Sequence, residues 1–109
     1  MITWEDFEKI DIRVGTIISA IENTKAKKPA YIIEVDFGNL GVKKSSAQLT
    51  VLYSIQELIG KQVIAIINFP PKQIAQTISE FLILGTIGEN NQITLLSVDK
   101  QVTNGLKVG

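Results

Sequence analysis

The sequence contains no cysteine and no histidine. Disulfide staples, thiolate nucleophiles and the usual zinc constellations are therefore excluded, and with them imidazole acid–base pairs and any His-based triad. Aromatic residues make up only 6% of the chain, which leaves little with which to stack nucleobases. No apolar run approaches the roughly 18 residues that a membrane span requires, so no membrane insertion is expected. The opening "MITWEDFEKIDIR" is acidic and lacks the charged-then-apolar layout of a secretory leader, which points to the cytoplasm. A glycine-rich phosphate loop is missing too: Gly38 and Gly41 bracket "NL" in a hairpin-like "FGNLG", and no GxxxxGK follows. Two carboxylates, Glu34 and Asp36, share a face of an expected strand, but their neighbours are apolar and no second catalytic element accompanies them. These absences favour a protein that is not an enzyme and needs no metal or other cofactor.

What remains is an ordinary globular composition. Of 109 residues, 45% are hydrophobic and 20% charged, enough for one core, and residues 1–109 are read as a single domain. The net charge of zero hides a segregation. Residues 1–24 set Glu5, Asp6, Glu8, Asp11 and Glu22 against Lys9 and Arg13. Residues 25–72 set Lys25, Lys27, Lys28, Lys43, Lys44, Lys61 and Lys72 against Glu34, Asp36 and Glu57. Either the cations gather on a binding face, or they merely solvate loops and strand edges, as lysines do in many small β proteins.

The pattern along the chain is one of short strands. Thr3 followed by Asp6 reads as the cap of a short N-terminal helix. "IRVGTIISAIE" is β-branched, and its Gly15 suggests a bulge or sharp coil. "YIIEVDF" alternates, with Tyr31, Ile33, Val35 and Phe37 on one face and Ile32, Glu34 and Asp36 on the other. "GVKKSSAQLT" is a weaker, polar strand. In "SIQELIG", Ser54 and Glu57 form a capping box and Gly60 stands where a helix-terminating glycine belongs. "QVIAIINF" is nearly continuous in its apolar character, which predicts burial on both faces and places Phe69 with Val63, Ala65 and Ile67. "EFLILGTIG", the "ENNQ" turn and "ITLLSV" form a final hairpin. The sum is an all-β protein: a five-stranded Greek-key barrel of the OB type, a short helix between strands 3 and 4, an N-terminal helix and a C-terminal strand extension.

Read in succession, "DFEKIDIRVGTI", "VDFG", "KKSSAQLT" and "INFPPKQI" leading into "SEFLILG" resemble the tRNA-binding-domain superfamily, and within it the small stand-alone CsaA-type proteins. The resemblance covers essentially the whole chain. It implies an OB-fold homodimer without enzymatic activity, an export-related chaperone for unfolded or precursor polypeptides, within a superfamily that binds tRNA by shape. One position departs from the pattern: Gln76 stands where relatives usually carry glycine, so a positive φ there would be strained.

An OB barrel binds across strands 2 and 3, between the loops that join strands 1 to 2 and 4 to 5. The first loop brings Lys25, Lys27 and Lys28. Strand 3 brings Lys43, Lys44, Ser45, Ser46 and Gln48, and the second loop brings Asn68, Pro70, Pro71, Lys72, Gln73 and Ser79. These are the candidate RNA- or peptide-binding residues. Pro70 and Pro71 fix φ and stiffen the loop, either to present it to a ligand or to end a strand edge. Tyr31 and Phe37 are assigned to the core, which argues against a stacking platform. Two ligand classes remain: folded tRNA held through phosphates and sugar hydroxyls, or extended polypeptide held in an apolar groove. Ile74, Ile78 and Phe81 are the candidates to line such a groove, with Phe81 assigned rather to the core. Trp4, Phe7 and Ile10, together with Ile93 and Leu95, offer more apolar surface than a minimal barrel needs. They are read as a homodimer interface, the alternative being that they cap the ends of the barrel.

Overall fold

The computed structural model describes residues 1–109. Helix α1 (Trp4–Glu8) starts at the expected cap: the Asp6 N–H donates to Thr3 Oγ1 and the Thr3 N–H donates to Asp6 Oδ2. Strand β1 (Ile12–Glu22) follows and is the hub of the barrel. Its first half pairs antiparallel with β4 (Gln62–Ile66), and its second half pairs antiparallel with β2 (Tyr31–Asp36). The register slips between Ile17 and Ser19, so the bulge falls at Ile18 rather than at Gly15. Gly15 serves a different need: a Cβ there would lie 2.5 Å from Val35 Cγ1 and 2.8 Å from Phe37 Cδ1, so only glycine lets β1 pass the core this closely.

Strand β2 alternates as its sequence dictates. Tyr31, Ile33, Val35 and Phe37 are buried, while Ile32, Glu34 and Asp36 are partly open to solvent. Strand β3 (Val42–Ala47) pairs with β2, and helix α2 (Ile55–Leu58) seats Leu58 fully in the core. The α2 capping box forms as expected, with the Ser54 N–H donating to Glu57 Oε1 and the Glu57 N–H to Ser54 Oγ. Gly60 ends the element at φ 93°, and its N–H donates to the Ile17 carbonyl.

On β4, Val63 and Ala65 are buried, but Gln62, Ile64 and Ile66 are only partly so, which corrects the expectation of burial on both faces. A barrel strand has an outside, and here the chain's last residues cover part of it: Gln62 Nε2 donates to the Val102 carbonyl and to Asn104 Oδ1. The tail also pairs with β1, the Val14 N–H donating to the Leu106 carbonyl and the Val108 N–H to that of Ile12.

The stretch from Pro70 to Ser79, expected as a loop, holds a hairpin of β5 (Lys72–Ile74) and β6 (Thr77–Ser79). Its positive φ falls on Ala75 at 55°, not on Gln76. Strand β7 (Leu82–Ile83) pairs with β4, and β8 (Gly85–Ile87) pairs with β9 (Ile93–Leu95) as the final hairpin. The five-stranded sheet runs β3-β2-β1-β4-β7 and closes along a seam between β3 and residues 79–81. There the Ser46 N–H donates to Ser79 Oγ at 3.0 Å, the Glu80 N–H to the Lys44 carbonyl at 2.9 Å, and Ser45 Oγ to the Phe81 carbonyl at 2.9 Å. The result is a nearly closed antiparallel barrel of the OB type.

Candidate binding site

Hairpin β5–β6 stands above the seam and forms a wall between two hollows. The first is a groove of about 670 Å³. Ala47, Leu49 and Phe81 form its floor, Phe69, Pro70 and Ile74 one wall, and Leu82 to Leu84 with Ile87 and Ile93 the other. Lys72 supplies the only charge in the lining. Ten of the 17 lining residues are hydrophobic, so water in the groove is poorly bonded and an apolar side chain entering it gains by displacing that water.

The second hollow, about 600 Å³, lies on the opposite side of the hairpin. The β1–β2 loop with Glu22 and Lys25 bounds it on one side, Gln76 and Ile78 on the other, and Ile32 and Lys44 lie between. This is the position that an OB barrel uses for its ligands. Asn23, only 7% exposed, fastens the loop: its Nδ2 donates to Ser46 Oγ at 3.0 Å and its Oδ1 accepts from the Lys25 N–H at 3.2 Å. Lys25 and Lys44 are matched in the lining by Glu22 and Glu80, so the hollow is polar without being strongly basic.

The structure thus sorts the sequence-derived candidates. Ser45, Ser46, Gln48, Pro70, Lys72 and Ser79 line the apolar groove; Lys25 and Lys44 line the second hollow. Lys27, Lys28, Lys43, Asn68, Pro71 and Gln73 line neither. Neither hollow by itself gathers the lysines. Lys43 and Lys44 are neighbours in β3, where successive side chains face opposite ways; Lys43 shares the face of buried Ser45 and Ala47. Asn68 is a fastener: its Oδ1 accepts from the Asp11 N–H at 3.0 Å and its Nδ2 donates to the Lys9 carbonyl at 2.7 Å, tying α1 to the end of β4. Ser45 and Ser79 are almost wholly buried and spend their hydroxyls on the seam.

Phe81 is core, 5% exposed, and still forms groove floor. Ile74 faces the apolar groove but Ile78 faces the second hollow, so the two do not line one surface. Phe69, expected on the core face, is half exposed on the groove wall. Strand β4 ends at Ile66, and alternation carries no information past a strand's end. Of the residues read as a dimer interface, Trp4 is 83% exposed, Ile10 is exposed and Phe7 partly so. Ile93 and Leu95 instead pack partly against the chain's own core, and Ile93 also lines the groove.

Barrel, seam and flanking hollows define an OB-fold binding domain. Residues 12–107 match the family described as "Putative tRNA binding domain", and the chain belongs to that family. Two solved structures are similar over its full length. The chaperone CsaA of Bacillus anthracis str. Ames is 44% identical with a TM-score of 0.96, covering 100% of this chain and 99% of that one. The CsaA chaperone protein of Picrophilus torridus is 48% identical with a TM-score of 0.92, covering 100% of both chains. The methionine–tRNA ligase of Nanoarchaeum equitans is 38% identical over 108 residues, 99% of this chain but 14% of the ligase. The chain thus spans about a seventh of the length of that curated relative.

Proposed function

We propose that the protein is a non-catalytic, cytoplasmic binding protein that holds unfolded or precursor polypeptide, in the manner the CsaA likeness suggests. The observation that carries this reading is the groove beside the seam: apolar on its floor and both walls, with Lys72 as its single charge. Such a surface suits apolar side chains of a chain that has not buried them, and it suits phosphates poorly. The exposed Trp4 and Ile10 on α1 support assembly as a homodimer, which would set two grooves on one long client. The test is suppression of aggregation when a chemically unfolded client is diluted into equimolar protein. Suppression that falls away in a Phe69→Ala, Ile74→Ala double variant is expected; no suppression of any client removes the reading.

A second reading has its own support. The family match, with Lys25 on the bounding loop and Lys44 beside it in the hollow, favours tRNA as a partner at the second hollow. Binding there would be through phosphates and sugars rather than stacked bases, since no aromatic side chain lines it. Titration of tRNA at a series of salt concentrations tests it, a flat profile speaking against phosphate contacts.

A further inference from the structure

Strand β5 has an edge that nothing covers. Its register sets Lys72 opposite Ser79, Gln73 opposite Ile78 and Ile74 opposite Thr77. Bonded and non-bonded pairs alternate along an antiparallel ladder, and the pair that closes a two-residue turn is the bonded kind. Gln73 therefore belongs to a non-bonded pair, and its N–H and C=O point away from β6. No turn, loop or other strand takes them up, and the Gln73 side chain folds back to donate to the Ala75 carbonyl at 3.1 Å. Gln73 is exposed. The flanking residues on the strand, Lys72 and Ile74, direct their side chains to the apolar groove.

An open edge beside a groove that collects side chains from alternate positions is the arrangement into which an extended chain fits as an added strand. We propose that a client polypeptide binds by pairing its backbone with β5 at Gln73 and laying every second side chain into the groove. This deepens the polypeptide reading given above and rests on it. The charge of the site bears on the occupant. With Lys72 as the only cation and no carboxylate in the lining, the groove cannot neutralise a run of phosphates, whereas a polypeptide backbone is neutral and brings one donor and one acceptor per residue. The client residue seated beside Lys72 is then neutral or acidic. Pro70 and Pro71 lack N–H groups, so the pairing edge begins at Lys72 and stays too short to recruit a whole sheet. Recognition through the backbone also explains how a site could serve many sequences and still ignore native proteins: folded domains keep their strand edges paired, covered or blunted.

The experiment measures binding of a short labelled peptide that alternates isoleucine and serine, in its plain form and with single backbone N-methyl groups moved along it. N-methylation deletes one donor at a time. Gln73 offers the one outward acceptor, so edge pairing predicts a loss of about tenfold for the methyl group on the donor that meets it and little change on the donors either side, which point the other way. Equal effects at all positions, or none, overturn edge pairing while leaving the polypeptide reading intact; failure of the plain peptide to bind at all counts against both. Gln73→Pro removes the outward N–H without touching a bond to β6, and a loss of about tenfold is expected there. The peptide series uses the unaltered protein, so it decides the matter whether or not Gln73→Pro folds.

Discussion

The rings of Phe37 and Phe81 meet edge to face, with centroids 5.4 Å apart and planes inclined at 75°. Phe37 is wholly buried on the β2 side of the core, and Phe81 is at once core and groove floor. The pair therefore joins the element that carries the fold to the floor of the groove. Phe37→Ala removes this contact and leaves a cavity, and should cost about 3–5 kcal/mol. Urea unfolding checks it through the midpoint: a shift too small for a loss above about 2 kcal/mol would mean that the core closes around the gap.

Phe69 is the useful contrast. Half exposed on the groove wall, it contributes little to folding, and Phe69→Ala should change stability by no more than about 1 kcal/mol. Peptide affinity should nonetheless fall by about tenfold or more, because an aromatic anchor in a groove commonly carries over 1 kcal/mol of binding. Calorimetry of binding beside a thermal melt of the same sample separates the two effects.

The seam between β3 and residues 79–81 depends on side chains where backbone pairing stops. Ser79→Ala strips the Ser46 N–H of its acceptor, and an unpaired, poorly hydrated donor costs about 1–3 kcal/mol. Hydrogen exchange at the Ser46 amide should speed up in this variant before amides of β1 do. Exchange unchanged at Ser46 would show that the seam does not rely on that hydroxyl.

If tRNA binds at the second hollow, a Lys25→Ala, Lys44→Ala double variant loses two phosphate contacts. The slope of log K against log salt should become shallower by about 1.5 to 2. Peptide binding at the groove should be untouched, since neither lysine lines it. Parallel titrations with tRNA and peptide make the comparison, and equal weakening of both would argue for one shared surface.

Glu57 gives a pH dependence of known sign. Its carboxylate accepts from the Ser54 N–H, and this bond, followed by the Ser54 hydroxyl acting on the same carboxylate, holds its pKa below the ordinary 4.5. The folded state thus binds the proton less readily than the unfolded chain. Stability from the ionised capping box is fully present above the ordinary value and is lost as pH falls through the lowered one. The melting temperature of wild type should exceed that of Glu57→Gln at neutral pH, and the gap should narrow in acid. A gap that is constant with pH would show that the charge plays no part.

Much of the architecture was legible residue by residue. The capping boxes at Thr3 and Ser54 need only contacts three residues apart, and the burial of Tyr31, Ile33, Val35 and Phe37 follows from a period of two. Hairpin β5–β6 was hidden because two prolines and a run of polar residues mask three-residue strands. The parting of Lys43 from Lys44 was visible in principle, since neighbours in a strand face opposite sides. It escaped because a count of charges carries no direction.

The sequence by itself determined the barrel's strands, its caps, the apolar character of its core and the lack of thiol and imidazole chemistry, all properties set by backbone geometry over a few residues. Tertiary structure alone decided that the candidate surface is two hollows and not one. The wall between them is held by contacts such as Ser46 to Ser79, residues 33 apart in the chain, and no local pattern encodes where such distant partners meet.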